Sequence, residues 1–189
     1  SGGGNPNTNV IDYVTMSSAG DAQDFGDLSA ARQSINSFAS STRGVFAGGY
    51  IEPADVNTID FITISSTGDA TDFGDLTVPR MVGGGCSNST RGVIGGGDPT
   101  PGTQTNVIDY VTIASAGDAA DFGDLTSARR DLDAASSPTR AVFVGGDTPT
   151  LVNTIDYVEI LTTGNALDFG DQTTKRDRFS ACSNGHGGL

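Results

Sequence analysis

The chain contains no tryptophan, a single lysine (Lys175) and a single histidine (His186). A lone histidine supplies neither a metal-binding cluster nor a general base with visible partners, so none is assigned to it. Basic residues are scarce: 10 against 23 acidic ones, for a net charge of −13. Such a surface repels phosphate backbones and anionic membranes, and nucleic acid is not an expected partner. No apolar run approaches the roughly 18 residues needed to cross a bilayer, and no basic-then-apolar segment opens the chain, so no membrane insertion is expected. The first residue is Ser1, not Met, which leads us to expect a chain processed, excised or read from part of a longer protein.

What is abundant is glycine, 27 residues, against a hydrophobic content of only 35%. That balance is poor for a helical bundle and suits short strands joined by tight turns. The chain also repeats itself. NVIDYVTMSSAGDAQDFGDLSAAR, from Asn9 to Arg32, returns as NTIDFITISSTGDATDFGDLTVPR from Asn57 to Arg80. It returns twice more, from Asn106 to Arg129 and from Asn153 to Arg176. The anchors Asp12, Asp60, Asp109 and Asp156 follow one another at 48, 49 and 47 residues. A second block stays in phase: STRGVFAGG, STRGVIGGG and PTRAVFVGG. Strand-rich repeats of 40 to 50 residues are the mark of propeller blades.

Each unit reads as four strands. A stretch of small residues follows the arginine, as in MVGGGCSNS from Met81, and suits a strand crowded against an axis. TRGVFAGG is a short apolar strand closed by a glycine pair. NTIDYVTIS is rich in β-branched and aromatic residues. A turn around Ala19-Gly20-Asp21 and its counterparts then leads into a last strand at DFGDL. The fold class is therefore all-β: a β-propeller of four blades, each of four antiparallel strands, with no helices. The 189 residues form one domain of four repeats, approximately 9–56, 57–105, 106–152 and 153–189, with 1–8 closing the ring. Closure is expected because Leu189 falls in phase with Val45, and SGGGNP at the start in phase with Ile94 to Pro99. The two termini together supply the missing glycine-pair strand.

These blocks resemble the kelch repeat: an arginine, a strand of small residues, an apolar strand ending in a glycine pair, and an aromatic three positions before a leucine. The pairs are Gly48-Gly49, Gly96-Gly97 and Gly145-Gly146. The aromatic-to-leucine spacing is Phe25 to Leu28, Phe73 to Leu76 and Phe122 to Leu125, while Phe169 meets Gln172. Kelch units usually carry tryptophan where these carry phenylalanine, and kelch propellers usually have more than four blades. The wording TRGVF-x-GG, NxIDYVTI and DFGDL is similar to kelch-like repeats of bacteriophage virion proteins, marine phages especially. The resemblance implies a non-enzymatic structural or host-attachment module on a phage tail or appendage. It places the chain at the virion surface, or otherwise in an extracellular setting. Its partners would be other virion proteins or a host cell-surface glycan or protein, with homo-oligomers allowed.

Several motifs read otherwise at first sight. DFG occurs four times, but the glycine-rich loop, strand lysine and HRD loop of a kinase are missing. GGGCSNSTRG lacks the Gly-Lys pair of a phosphate loop. Asp21, Asp24 and Asp27, repeated in phase, are weak calcium candidates. The spacing is not that of an EF-hand, no metal or other cofactor is expected, and the preferred reading is structural. Turn-side aspartates cap backbone N–H groups, and a later aspartate of the triplet pairs with an in-phase arginine. Of nine arginines, seven occupy two phases: Arg32, Arg80, Arg129 and Arg176, then Arg43, Arg91 and Arg140. Phe25, Phe73, Phe122 and Phe169 join them and the anchor aspartates as structural repeat positions. Cys86 and Cys182 share a phase and read as buried free thiols. Asn88-Ser89-Thr90 has the form of a glycosylation sequon.

Ligand sites in repeat proteins lie where repeats differ. The loop after the glycine pair varies most, and from it Tyr50 is expected to stack on a sugar face. Glu52, Asp98, Gln104 and Asn7 would hydrogen-bond hydroxyls. A second variable patch follows the arginine, at Gln33 to Asn36, Met81 to Val82, Arg130 to Asp133 and Asp177 to Phe179. A stand-alone lectin-like carbohydrate-binding propeller is thus the alternative function. A propeller enzyme such as a glycosidase needs paired carboxylates at unlike positions. Nearly all acids here are repeated or in loops, so no catalytic residue is assigned.

Overall fold

The computed structural model describes residues 6–100 and 102–183. Its architecture is all-β and antiparallel, with no helix among the described residues. β1 (Thr8–Tyr13) and β2 (Gln23–Arg32) form a two-stranded sheet. β3 (Asn36–Ala39) and β4 (Arg43–Ala47) lead to a short hairpin, β5 (Tyr50–Ile51) with β6 (Ala54–Asp55), and on to β7 (Thr58–Thr63) and β8 (Thr71–Asp75). Strands β3-β4-β7-β8 make the first four-stranded sheet. β9 (Gly84–Ser87), β10 (Arg91–Gly95), β11 (Val107–Thr112) and β12 (Ala120–Asp124) make the second. β13 (Asp133–Ser136), β14 (Arg140–Val144), β15 (Thr154–Glu159) and β16 (Leu167–Asp171) make the third.

The four strand types expected from the sequence therefore form in the expected order. The closed ring of four four-stranded blades does not: among the described residues there are five sheets of two to four strands. Two observations account for the difference. The first unit shows only its outer pair, β1 and β2: the small-residue segment after Arg176 expected to join it forms no strand through Ser183, and the terminal glycine-pair segments, with His186, lie outside the described residues. In addition, the variable loop of the second unit folds on itself as the β5-β6 hairpin. Each four-stranded sheet also starts just after the arginine, so it straddles the repeat boundaries drawn from the NxID block.

The DFG triplet is a β-bulge. Ile59 pairs with Gly74 while Asp60 pairs with Asp72, which leaves Phe73 as an extra residue on β8, and the same register shift occurs in every unit. The bulge turns the phenylalanine into an edge-to-face contact with the aromatic of the partner strand, at 5.8 Å in all four units. The glycine is required by contact as well as by its positive φ. A Cβ on Gly26, Gly74 or Gly123 would lie 2.4, 2.5 or 2.5 Å from the carbonyl carbon of the next unit's turn glycine.

Three hydrophobic clusters fill the joints between successive units. Ile11, Phe25 and Leu28 pack on Phe46, Ile62 and Ala70. Val45, Ile59, Phe73 and Leu76 pack with Ile94, Val111 and Ile113 of the next unit. Val93, Ile108, Phe122 and Leu125 pack with Phe143, Val158 and Ile160. Each large apolar side chain buried in this way contributes about 1.5–3 kcal/mol. On the inner side, Ser87 Oγ donates to Ala39 O and Ser136 Oγ to Ser87 O, both at 2.6 Å, so β3, β9 and β13 lie side by side. A Cβ on Gly85 would meet Ser37 O at 3.0 Å, which explains the small residues there.

Buried ion pairs bridge the same joints. Arg32, Arg80 and Arg129, each with no exposed side-chain surface, pair with Asp60, Asp109 and Asp156 at 3.0, 2.9 and 3.0 Å. The partner is the strand aspartate of the following unit, not the triplet aspartate expected from the sequence. The triplet is occupied elsewhere: Asp24, Asp121 and Asp168 accept the N–H of the bulge glycine. Asp69, Asp118 and Asn165 accept an N–H across the joint. Arg80 also donates to Ile94 O, while its own carbonyl accepts the Gly49 N–H at 2.9 Å. One residue thus fastens two sheets, by main chain to one and by side chain to the other. Burial lowers the pKa of each guanidinium, and the adjacent aspartate opposes that shift. At the ends of the array, Arg176, Asp12 and Phe169 are exposed.

Asp109→Ala would leave the Arg80 guanidinium buried without its counter-ion and is expected to cost about 3–5 kcal/mol of stability. Arg176→Ala, at the exposed equivalent position, is expected to stay within about 0.5 kcal/mol of the parent. Urea unfolding of the two variants checks this, and equal losses would remove the special standing of the buried pairs.

Candidate functional site

The two variable segments seen in the sequence are one site. In three units the backbone zips them together. Gln33 and Tyr50 exchange N–H···O bonds of 3.2 and 2.9 Å, Met81 and Asp98 bonds of 3.1 and 2.9 Å, and Arg130 and Asp147 bonds of 3.2 and 2.9 Å. This brings the residue after the first arginine and the residue after the glycine pair to the same rim.

Four equivalent residues turn inward there. Ser34, Val82, Asp131 and Arg178 all adopt left-handed backbone angles, with φ of 58, 50, 52 and 51°. For a β-branched residue such as Val82 this conformation is costly, and strain of this kind gathers at sites where surrounding structure dictates the backbone. The dictating contacts are hydrogen bonds passed from unit to unit: Val82 N–H to Ser34 O at 3.3 Å, Asp131 N–H to Val82 O at 2.8 Å, and Arg178 N–H to Asp131 O at 3.0 Å. Together with Gln33, Tyr50, Met81, Asp98 and Arg130, the four residues line a funnel of about 580 Å³.

The chemistry of the funnel is mixed. Arg130 is held by Asp98 at 2.7 Å, Asp147 at 3.6 Å and Asp131 at 3.7 Å, and its hydrogen bond to Asp98 raises its pKa. Arg178 reaches back to Asp131 at 3.3 Å but keeps 74% of its side chain exposed, making it the cation at the mouth. Carboxylates match or outnumber guanidinium groups, so the funnel favours neutral, hydroxyl-rich ligands over phosphates.

Of the binding residues expected from the sequence, Tyr50 and Asp98 line this funnel. The Tyr50 hydroxyl donates to Glu52 at 2.5 Å, which raises the phenol pKa and ties Glu52 to the same corner. Asn7 Nδ2 approaches Tyr50 O at 3.5 Å. Asp98 is fully buried and its oxygens are taken by Arg130, Thr100, Gly102 and Thr103, so it shapes the wall and does not offer itself to a ligand. Gln104 is half-buried in the same loop and is not among the funnel residues. Ser34, Met81, Val82, Arg130, Asp131 and Arg178 belong to the site although only their variability marked them. Nearby, the Asp55 carboxyl has no hydrogen-bond partner among the described residues, and burial, helped by Asp98, raises its pKa.

Three other motifs resolve more simply. Among the described residues no three acidic, histidine or cysteine side chains converge as metal ligands, the Asp21 triplet included. Asn88, the sequon asparagine, is buried, with its side chain bonded to Pro138 O and to the N–H groups of Thr90 and Arg91. Both cysteines are free thiols, but only Cys86 is buried; Cys182 is exposed, contrary to the expectation for the pair, because it follows the last complete sheet and no later strand covers it among the described residues.

Burial pushes the Cys86 thiol up to about 12, so it stays protonated at pH 8. Alkylation of the folded protein at pH 8 is therefore expected to modify Cys182 quickly and Cys86 only after unfolding; peptide mapping that finds equal labelling would contradict the burial of Cys86.

No protein-family model matches the chain and no curated protein matches it, so the reading of the site rests on its geometry and on the repeat itself.

Proposed function

We propose that the chain is a binding and assembly module of kelch-like propeller blades, four units to the chain. We place it on a phage particle as a structural or tail-appendage protein that attaches the virion to a host surface. One observation carries the binding role. Wherever two units meet, the residues that repeat are consumed in the joint, as bulges, caps and buried ion pairs. Residues that differ from unit to unit face one funnel. A surface under no packing constraint, built from four unlike copies of one loop, is what a recognition site requires.

The virion assignment comes from the resemblance of the repeat blocks and agrees with a strongly acidic surface. A carbohydrate ligand suits the funnel because an aromatic ring, a hydroxyl-acid pair at Tyr50 and Glu52, and the free face of Arg178 stand together at a neutral-to-acidic mouth. The same features support the alternative, a lectin-like domain acting alone. Catalysis is disfavoured in this reading, since the funnel carboxylates Asp98 and Asp131 are both held in ion pairs with arginine and neither is free to serve as one of the paired carboxylates a glycosidase needs.

Binding of the labelled protein to bacterial cells and to a glycan array tests this reading. Tyr50→Ala and Arg178→Ala are each expected to weaken the strongest signal about tenfold, with Thr71→Ala on the outer strand β8 as an unchanged control. Signals that ignore both funnel substitutions would sink the assignment of the site. Turnover of a captured glycan would replace the binding reading with an enzymatic one.

A further inference from the structure

Among the described residues there are three joints between successive units, built on the same main-chain contacts. The turn glycine of the later unit donates its N–H to the carbonyl of the bulge phenylalanine: Gly68 to Phe25, Gly117 to Phe73 and Gly164 to Phe122, all at 2.7 Å. Two residues on, Ala70, Ala119 and Ala166 donate to Asp27, Asp75 and Asp124. In two of the three joints an arginine on the earlier sheet also donates to a strand-end carbonyl of the later one, Arg43 to Ile113 O at 2.8 Å and Arg91 to Ile160 O at 2.9 Å. In those two joints the apolar residues of that strand end are covered, Ile113 and Ile160 being 1% and 0% exposed, whereas Ile64 at the first joint is 45% exposed.

The last unit presents the giving half of a fourth joint. Phe169 is 55% exposed where Phe122 is 2% exposed. A Cβ on Gly170 would meet nothing within 4 Å, whereas its three counterparts lie against a neighbouring turn. Among the described residues Arg140 reaches no strand-end carbonyl and turns to Glu159 at 2.6 Å instead. Beside them a largely apolar groove of about 430 Å³ is lined by Ala135, Val142, Phe169 and Cys182, the positions that Val93 and Phe122 occupy, covered, one unit earlier.

The first unit presents the receiving half. Met16 is 98% exposed and Val14 58%, while their counterparts Ile113 and Val111 are 1% and 3% exposed. Gly20, Asp21 and Ala22 of its turn are exposed, in the positions that make the cross-joint bonds elsewhere. Of the exposed large hydrophobic residues, Val14, Met16 and Phe169 are thus explained together.

We infer that these two faces dock head-to-tail between two copies of this chain, the Val14–Ala22 segment of one copy seating in the Val142–Phe169 groove of the other. The internal joints identify the occupant, since they show the same residue types already bound in that geometry. The contact is heterologous, each copy using a different face, so it propagates until a ring closes or a filament forms. Arg140 leaves Glu159 for Met16 O, Gly20 N–H bonds Phe169 O, and Asp21 accepts the Asp171 N–H.

Light scattering of the full chain over a dilution series, with Met16→Asp and Phe169→Asp, tests it. Met16 touches almost nothing within its own chain, so its variant folds as the parent does, which circular dichroism verifies. The parent is expected to run as multiples of the single-chain mass that fall on dilution, and each variant alone as a single chain. Mixing the two variants is expected to restore one intact joint and give a capped dimer. A parent that stays at the single-chain mass at every concentration overturns the inference. If Met16→Cys is then also shielded from alkylation, the two faces meet within one chain instead. Assembly that survives both substitutions, or a mixture that gives no dimer, overturns it equally.

Discussion

A guanidinium removed from water and set against a carboxylate is the constraint from which the rest of this molecule follows. Arg32, Arg80 and Arg129 each leave one sheet, surrender all solvent contact, and end on the strand aspartate of the next. Taking two charges out of water costs several kcal/mol per ion, and the cost is offset only when geometry and additional hydrogen bonds are good. Here the carboxylate also accepts the N–H and hydroxyl of Ser29, Thr77 or Thr126, and the guanidinium reaches a main-chain carbonyl. Such a pair tolerates little movement. It fixes where one sheet stands against the next, and the apolar clusters and the glycine contacts are arranged around that distance.

Once the joints are fixed, the loops at the rim are positioned without having to pack. The zipped pairs Gln33–Tyr50, Met81–Asp98 and Arg130–Asp147 carry the same backbone bonds with unlike side chains. The backbone supplies the scaffold and the side chains are left to differ. The cost of the arrangement appears as left-handed φ at Ser34, Val82, Asp131 and Arg178, met by hydrogen bonds from the neighbouring unit.

Strand types and their order were legible in the sequence because alternating β-branched and aromatic residues, glycine pairs and small-residue runs each have a local physical meaning. The repeat of Asp109 and Arg80 marked them as structural, but not as partners. Pairing is a property of two units, and spacing within one unit pointed to the wrong aspartate. DFG was legible as a strand element and not as a bulge, since the extra residue shows only against the partner strand. Tyr50 and Asp98 were both placed in the variable loop, yet one faces the funnel and the other is consumed in its wall. That distinction depends on Arg130, which comes from a different unit. Cys86 and Cys182 share a phase but not an environment, because among the described residues only Cys86 has a following sheet to cover it.

The glycine contact at each joint has a consequence for how such chains change length. Gly26, Gly74 and Gly123 leave room for one thing only, the backbone of a turn, and a backbone is the same in every copy. A unit therefore carries no mark of which neighbour it was made for. Duplicating or deleting a whole unit returns the same interface at the new boundary, while the loss of a single residue inside one shifts every side chain on a strand to the opposite face. Copy number is free to drift in whole steps, and the rim, whose composition is tied to no joint, is where successive copies are free to become different from one another.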